Sequence, residues 1–446
     1  MFGTDGIRNT VGRPPFTLNN LTSLGNAIGT WIVEKYGPNS HILIGKDPRI
    51  SGDFVSCSLS AGLLLHNIHL YDAEIISTPE LCFTIQKSKK PFVCGIMISA
   101  SHNPFNDNGI KIIDAKTIKL LPEDEIKINK IFTSLYKKEI SYSTFGTRTT
   151  YSSARQEYIN NLKNSFPQNF LKNTTIILDC AHGATSFAPD IFNFFGAHTI
   201  AINNNPNGTN INKQCGAVYP EKLQPIVLEN KALAGFAFDG DGDRVVAVNK
   251  EGNLCNGDAI LSVLLMHPLY KDEKKVVGTI LTNQGFEHYL TKKNKKLIRT
   301  PVGDKYIIQK MRAQKCLLGG EPSGHIILGD YMLTGDGIFT ALRYMESIIY
   351  NTTYTKMPFN PYPSLNTTIT VNEKKDLTSE PFFSIIKKHE KELYNGRIIV
   401  RYSGTENKLR LFVEAKKKST AILCMNTLTA ELKYALTLKS STQSHI

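Results

Sequence analysis

The sequence predicts an α/β protein of four domains, the last of them smaller and α+β. Three observations predict it. The chain has 446 residues, enough for roughly three or four domains. Apolar runs of strand character alternate with helical periodicities along most of it, the order that builds largely parallel sheets. Four strands run straight into polar, glycine-rich loops, and in α/β folds ligands gather outside the carboxyl ends of strands. Four such loops suggest four domains aimed at one central cleft.

Helical patterns fall at 18–36, 53–67, 185–195, 257–265, 305–312 and 336–349. The four strand-then-loop segments lie among them. Residues 92–98 (FVCGIMI) lead into 99–109 (SASHNPFNDNG), and 233–238 lead into 239–244 (DGDGDR). Residues 316–319 lead into 320–325 (GEPSGH), and 397–400 into 401–406 (RYSGTE). The end of the chain reads differently: strand, helix, two strands close together around Ser403, then a long helix. That is an α+β order with an antiparallel hairpin. Gly, Thr and Pro punctuate the pattern and divide the chain into 1–148, 149–250, 251–360 and 361–446.

Composition narrows the functional classes. Hydrophobic residues make up 41% and charged ones 20%, an ordinary globular balance. The eight cysteines (57, 82, 94, 180, 215, 255, 316 and 424) are scattered singly, without a C-x-x-C. That spacing argues against a disulfide framework and a structural zinc site and suits a reducing, cytoplasmic setting. MFGTDGIRNT has no apolar signal-peptide stretch, and no apolar run approaches the roughly 20 residues of a membrane span. The net charge of +13 would attract anions. Lysine clusters at 292–296 and 416–418 lack interleaved aromatics, so lysines decorating solvated faces are preferred to a nucleic-acid groove, and a small anionic substrate fits either way.

Asp239, Asp241 and Asp243 form the sharpest local signal. At alternate positions of an extended loop they would share one side of the backbone. Three like charges so close repel unless a cation sits among them, and a hard divalent ion with oxygen ligands is the natural partner. An EF-hand needs Gly at loop position six and Glu at twelve; Arg244 and Lys250 stand there, and that reading fails. Such a metal commonly binds phosphate. Ser101 lies in a loop past a strand, outside any G-x-S-x-G, with His102 poorly placed in sequence to serve as its base. A serine without a tuned base can still accept and donate a phosphoryl group, since that transfer rests on positioning and charge neutralisation. Glu321, Ser323 and His325 offer donors and acceptors to sugar hydroxyls, or form an ordinary capped turn. Arg401, Ser403, Gly404 and Thr405, with Arg410, suit a phosphate cradle or a plain hairpin.

Taken in order, FGTDGIR (2–8), SASHNPFNDNGIK (99–111), DGDGDR, GEPSGH and RYSGTE resemble the α-D-phosphohexomutase superfamily. NGTNIN (207–212) with Cys215-Gly216, and Val302-Gly303-Asp304, are similar to its bacterial phosphoglucosamine mutases. The resemblance implies three similar mixed-sheet α/β domains plus a smaller α+β C-terminal one. It implies a phosphoserine at Ser101 and one Mg²⁺ held by that group with Asp239, Asp241 and Asp243. Arg8, Arg244 and Lys111 would surround the transferring phosphoryl, with Lys111 a candidate acid/base. His102, Glu321, Ser323 and His325 would bind the sugar, and Arg401, Ser403, Gly404, Thr405 and Arg410 the phosphate that is not reacting.

The implied reaction interconverts glucosamine 6-phosphate and glucosamine 1-phosphate through a hexose 1,6-bisphosphate, which would also act as activator. The product would feed UDP-N-acetylglucosamine and cell-wall synthesis. The implied protein is a monomer or homodimer whose partner is a sugar phosphate, with no nucleic acid and no membrane. Asn9, Tyr402 and Asn407 depart from the family pattern outside the proposed catalytic groups. Pro322 stands where the glucosamine branch carries Gln, inside the sugar-reading loop. It keeps glucose and mannose phosphates open as substrates. A non-catalytic basic protein binding anions or nucleic acid is the alternative from another class.

Overall fold

The computed structural model describes every residue except 4, 117–118, 136–144, 352–356, 404–406 and 438–446. The chain forms two compact units. The first comprises Met1–Thr282 and Asn294–Pro358, the second Asn283–Lys293 and Phe359–Ile446.

The first unit opens with β1 (Ile7–Thr10), α1 (Leu18–Tyr36), β2 (His41–Lys46), α2 (Gly52–Leu64) and β3 (His69–Ile75). It continues with α3 (Thr78–Lys87), β4 (Phe92–Ile98), β5 (Asp107–Asp114), α4 (Pro122–Leu135) and β6 (Arg148–Thr150). The six strands order as β1-β5-β4-β2-β3-β6. Their inward residues, including Ile42, Ile44, Cys94, Ile96 and Ile110, bury against Trp31, Leu59 and Leu63 of α1 and α2. The Trp31 indole donates to Asp124 at 2.8 Å and ties α1 to α4. Ser77 and Glu80 close a reciprocal capping box at the start of α3, satisfying two amide donors there.

A second sheet follows, with α5 (Ala154–Ser165), β7 (Thr175–Asp179), α6 (Ala188–Phe194), β8 (His198–Ile202) and α7 (Leu223–Glu229). The strands β9 (Ala234–Phe238), β10 (Val245–Asn249) and β11 (Leu254–Cys255) complete it in the order β11-β10-β9-β7-β8. The third sheet comes with α8 (Gly257–Leu264), β12 (Lys275–Thr279), α9 (Gln284–Lys292), β13 (Lys296–Thr300) and α10 (Asp304–Gln314). Then come β14 (Leu318–Gly320), β15 (Ile326–Leu328) and α11 (Gly337–Tyr350). Its order is β13-β12-β14-β15.

The second unit holds β16 (Ser364–Thr370), α12 (Phe382–Glu392), β17 (Arg397–Tyr402), β18 (Lys408–Glu414) and α13 (Lys418–Thr437), together with α9. Its sheet is antiparallel throughout, in the order β16-β18-β17. Leu409, Leu411 and Val413 pack on Leu428 and Leu432 of α13. The buried carboxylate of Glu414 fastens α9 to this sheet. It accepts from Asn283 at 2.7 Å, from the Gln284 amide at 3.0 Å and from Arg397 at 2.7 Å.

The sheets of the first unit are mixed, as the resemblance implies, and refine the largely parallel reading. Each sheet of the first unit pairs its inner strands in parallel and finishes antiparallel, at β4–β5, β9–β10 and β14–β15. The connections decide this. Only residues 99–106, 239–244 and 321–325 separate those strands, and a parallel crossover needs a dozen or more. The loops 99–106, 239–244 and 321–325 therefore each turn one strand back against the next, and β17 and β18 are likewise antiparallel. Among the described residues no helix is long and apolar enough to cross a membrane.

The helices α1 and α2 meet backbone to backbone. A Cβ on Gly62 would collide with the Thr22 carbonyl and the Asn26 amide, and one on Gly25 with the Leu59 carbonyl. Backbone cannot yield as a side chain can, so Gly62→Ala should destabilise the fold by about 1–3 kcal/mol. Urea denaturation would show it as a lowered midpoint; an unchanged midpoint would mean that the helices separate without cost.

Candidate active site

The loop 99–106 leaves the end of β4 and carries Ser101, which is fully buried and has a left-handed backbone at φ 53°. Its amide donates to Ser99 Oγ at 2.8 Å, and Ser99 Oγ donates to Asp47 at 2.6 Å. The Ser101 hydroxyl donates to Asp239 Oδ2 at 2.6 Å, so the two loops meet at the proposed relay atom. His102 Nδ1 lies 3.4 Å from the same oxygen. Burial first, then the charges of Arg244 and Arg8, push the His102 imidazole down to about 4, so it is neutral near pH 7.

The three aspartates converge by a different route from the one the alternation suggests. The loop turns: the Gly242 amide donates to the Asp239 carbonyl at 3.2 Å, and Gly242 takes φ 73°. A Cβ on Gly240 would press on the Ser101 carbonyl and the Asn212 amide group, so glycine lets the two loops touch. The result is one carboxylate oxygen from each of Asp239, Asp241 and Asp243 within 4.8 Å of the others.

Their partners are unequal. Lys111, on β5 and fully buried, donates to Asp241 Oδ2 at 2.6 Å and to Asp243 Oδ2 at 3.1 Å. Thr78 also donates to Asp241 Oδ2. Asp241 Oδ1 and Asp243 Oδ1 are buried without any hydrogen-bond partner. Burial, then the charges of Asp243 and Asp241, push Asp239 up to about 8. Burial also opposes the charge on Asp243, yet Lys111, His325 and Arg244 hold it well below the usual carboxylate range. Orphaned carboxylate oxygens in a buried, oxygen-only donor set fit a hard divalent cation.

The cations form the rest of the wall. Burial works against the charge on Lys111, and Asp241, Asp243 and Asp5 outweigh it, holding the ammonium protonated. Arg8 pairs with Asp5 and reaches Asn103 Oδ1 at 3.5 Å. Arg244 lies 3.7 Å from Asp243 and 3.9 Å from Asp239, and its Nε has no hydrogen-bond acceptor. Arg8 Nε is in the same condition. Unused guanidinium donors beside a carboxylate cluster are available to a phosphate.

In the third loop Ser323 is exposed, while Glu321 and His325 are buried. Glu321 Oε1 accepts the Gly303 amide at 3.0 Å. His325 Nε2 accepts the Gly335 amide at 3.1 Å, which leaves the proton on Nδ1, 3.6 Å from Asp243. Burial lowers the affinity of His325 for a proton, and Asp243 and Asp304 raise it further than burial lowers it. In this arrangement the His325 ring faces carboxylates and backbone.

In the second unit, Arg401 and Arg410 stand directly opposite on β17 and β18. Burial and the facing Arg410 both lower the affinity of Arg401 for its proton. Arg410 approaches Ser403 Oγ at 3.4 Å, and Lys374 donates to the Ser403 carbonyl at 2.8 Å. Like charges directly across a strand pair are costly, and an anion would relieve them. Gly404 and Thr405 lie outside the described residues.

Sequence reasoning gave no role to Asp5, Thr78, Lys119 or Asp304. Lys119 pairs with Asp5 and, at 2.6 Å, with Asp304, which lies 3.6 Å from His325 Nε2. Asp5 lay inside a motif, and Asp304 inside the Val302-Gly303-Asp304 stretch. Lys119 carried no local signal at all.

Family models for phosphoglucomutase/phosphomannomutase match the chain in four stretches. The alpha/beta/alpha domains I, II and III match residues 1–139, 156–252 and 256–357, and the C-terminal domain matches 368–426. A phosphoglucosamine mutase of a Nitratiruptor species is 39% identical over 431 residues, covering 93% of this chain and 95% of that protein. In fold, the chain is similar to a phosphoglucomutase/phosphomannomutase family protein from Burkholderia thailandensis, with a TM-score of 0.80 and 20% identity. That match covers 97% of each chain. It is also similar to Aspergillus fumigatus N-acetylphosphoglucosamine mutase, solved in complex with GlcNAc-6P and magnesium, at TM-score 0.64 and 17% identity. That match covers 98% of this chain and 96% of the other. The chain belongs to the phosphoglucomutase/phosphomannomutase family, in its phosphoglucosamine mutase branch.

Proposed function

We propose that the chain interconverts glucosamine 6-phosphate and glucosamine 1-phosphate, with Ser101 as the phosphoryl carrier and a hexose 1,6-bisphosphate as both intermediate and activator. The observation that carries this reading is the Ser101 hydroxyl seated 2.6 Å from Asp239, beside two orphaned carboxylate oxygens. We read the chain as four domains, 1–148, 149–250, 251–360 and 361–446, each contributing one hairpin loop. The eight free cysteines, seven of them buried, support a reducing cytoplasmic setting.

Asp239, Asp241 and Asp243, with phosphorylated Ser101, would hold one Mg²⁺. The ion supplies charge neutralisation on the phosphoryl oxygens. Lys111, held protonated beside Asp241 and Asp243, is assigned to the transferring phosphoryl as the candidate acid/base, and its charge would neutralise the phosphoryl oxygens. Arg8 and Arg244 orient the phosphoryl through their unused Nε donors. Neutral His102, with Glu321, Ser323 and His325, is assigned to the sugar side. Arg401, Ser403, Gly404, Thr405 and Arg410 are assigned to the phosphate that is not reacting. Pro322, lying between Glu321 and Ser323, is the reason to test glucose and mannose phosphates as well.

Glucosamine 6-phosphate, glucose 1-phosphate and mannose 1-phosphate should compete in one tube containing Mg²⁺ and a trace of hexose 1,6-bisphosphate. Followed by ³¹P NMR, the glucosamine ester should turn over preferentially, and Ser101→Ala should reduce turnover to background. Preference for glucose or mannose would discard the glucosamine assignment alone; an active Ser101→Ala protein would sink the relay.

Lys111→Met tests the metal without relying on catalysis. It strands buried carboxylates, and breaking such a pair costs about 3–5 kcal/mol. In EDTA the variant should melt well below the parent. Mg²⁺ should recover part of the loss by mass action, raising the midpoint more in the variant than in the parent, where Lys111 competes for the same oxygens. Melting that ignores Mg²⁺ in both proteins would remove the metal assignment.

A further inference from the structure

Between β2 and α2 lies a buried ion pair that the roles above leave unused. Arg49 Nε donates to Asp47 Oδ2 at 2.9 Å, with both side chains fully buried. A guanidinium has five N–H donors, and here each has an acceptor. Besides Asp47, these are the backbone carbonyls of Ser101 at 3.0 Å, Asn103 at 2.9 Å, Asp107 at 3.1 Å and Pro104. Four carbonyls of the relay loop and its exit thus converge on one planar cation.

Asp47 completes the hold from the other side. It accepts from Ser99 Oγ, which in turn accepts the Ser101 amide. The pair therefore fixes Ser101 at both its N–H and its C=O. A second hook comes from Asn212, whose amide group donates to the Ser101 carbonyl at 2.8 Å and the Asn103 carbonyl at 3.0 Å. The residue so held is in the left-handed region, which a side chain such as serine adopts only at some cost.

Resting on the relay reading, we infer that Arg49, braced by Asp47, is the positioning residue of phosphoryl transfer. It keeps the Ser101 backbone turned so that Oγ faces the aspartates in both its free and its phosphorylated state. The rate of transfer to and from Ser101 depends on it, and capture of the sugar phosphate does not. Lysine cannot substitute, because a single ammonium presents three donors from one point and cannot span four carbonyls.

The test compares parent, Arg49→Lys and Asn212→Ala in Mg²⁺ with glucose 1,6-bisphosphate. Phosphorylation of Ser101 is followed by rapid quench and intact mass per folded molecule, alongside steady-state kcat and KM. Arg49→Lys should label about 10²-fold more slowly, the scale of a small misplacement of a reacting group. Its kcat should fall in step while KM stays close to the parent value. Asn212→Ala, which leaves Arg49 in place, should label more slowly than the parent by a smaller factor, and it carries the test if Arg49→Lys does not fold. Parent-like labelling rates in the folded variants, or a raised KM with unchanged kcat, would overturn the inference alone. No label on the parent's Ser101 would overturn the relay reading and this inference with it.

Discussion

The first unit is organised around a buried ammonium. Lys111 has no solvent exposure, and stripping water from such a group costs several kcal/mol unless close partners replace it. The partners come from far along the chain: Asp241 at 2.6 Å and Asp243 at 3.1 Å from the second sheet's hairpin, and Asp5 at 3.7 Å from the N-terminal turn. Charges then alternate along a chain of ion pairs. Asp5 pairs with Lys119 and Lys119 with Asp304, and the His325 ring lies between Asp304 and Asp243. Removing any member leaves a buried charge facing its own kind, so loops from all three sheets of this unit are committed to one arrangement.

The network is not balanced everywhere, and the imbalance falls where the chemistry is assigned. The arc through Asp5, Lys119 and Asp304 is neutralised pair by pair. The opposite arc keeps Asp239 pushed up to about 8 and two carboxylate oxygens with no donor inside hydrogen-bond distance. Structural ion networks gain nothing from such a deficit, whereas a cation and a phosphoryl group would consume it. The second unit shows the reverse sign, with Arg401 facing Arg410 across a strand pair. Each excess is costly to its own unit, and a ligand of opposite charge would relieve it, which is how a binding site differs electrostatically from a structural one.

What could be read in the sequence follows from how local each signal is. DGDGDR and SASHNP carry their chemistry within a few residues, and the helix over 18–36 announces itself by periodicity and appears as Leu18–Tyr36. The strand direction was hidden, because alternation of strands and helices says nothing about a short loop that doubles back. The loop lengths held that information: VVAVN directly after DGDGDR leaves no room for a crossover. Lys119 and Arg49 were illegible for a different reason. Their meaning lies in partners such as Ser101, 52 positions from Arg49, and a lone charged residue looks the same whether it faces water or a carboxylate.

Ser101 shows why the supporting residues matter as much as the motif. A left-handed backbone is nearly free for glycine and costs other residues about 1–2 kcal/mol. Glycine has no hydroxyl, so a chain that needs an oxygen at this turn must hold a reluctant residue there. The hydrogen bonds from Arg49 and Asn212 to the Ser101 carbonyl, and from its amide to Ser99, offset that cost at the one residue concerned. They also answer a demand that the free hydroxyl alone does not make. A serine that served as the proposed relay would alternately bear and lose a dianion and meet different forces from the aspartates in each state, and a backbone fixed independently of its side chain would return Oγ to the same place. The buried Asp47–Arg49 pair fixes it without touching the reacting atom.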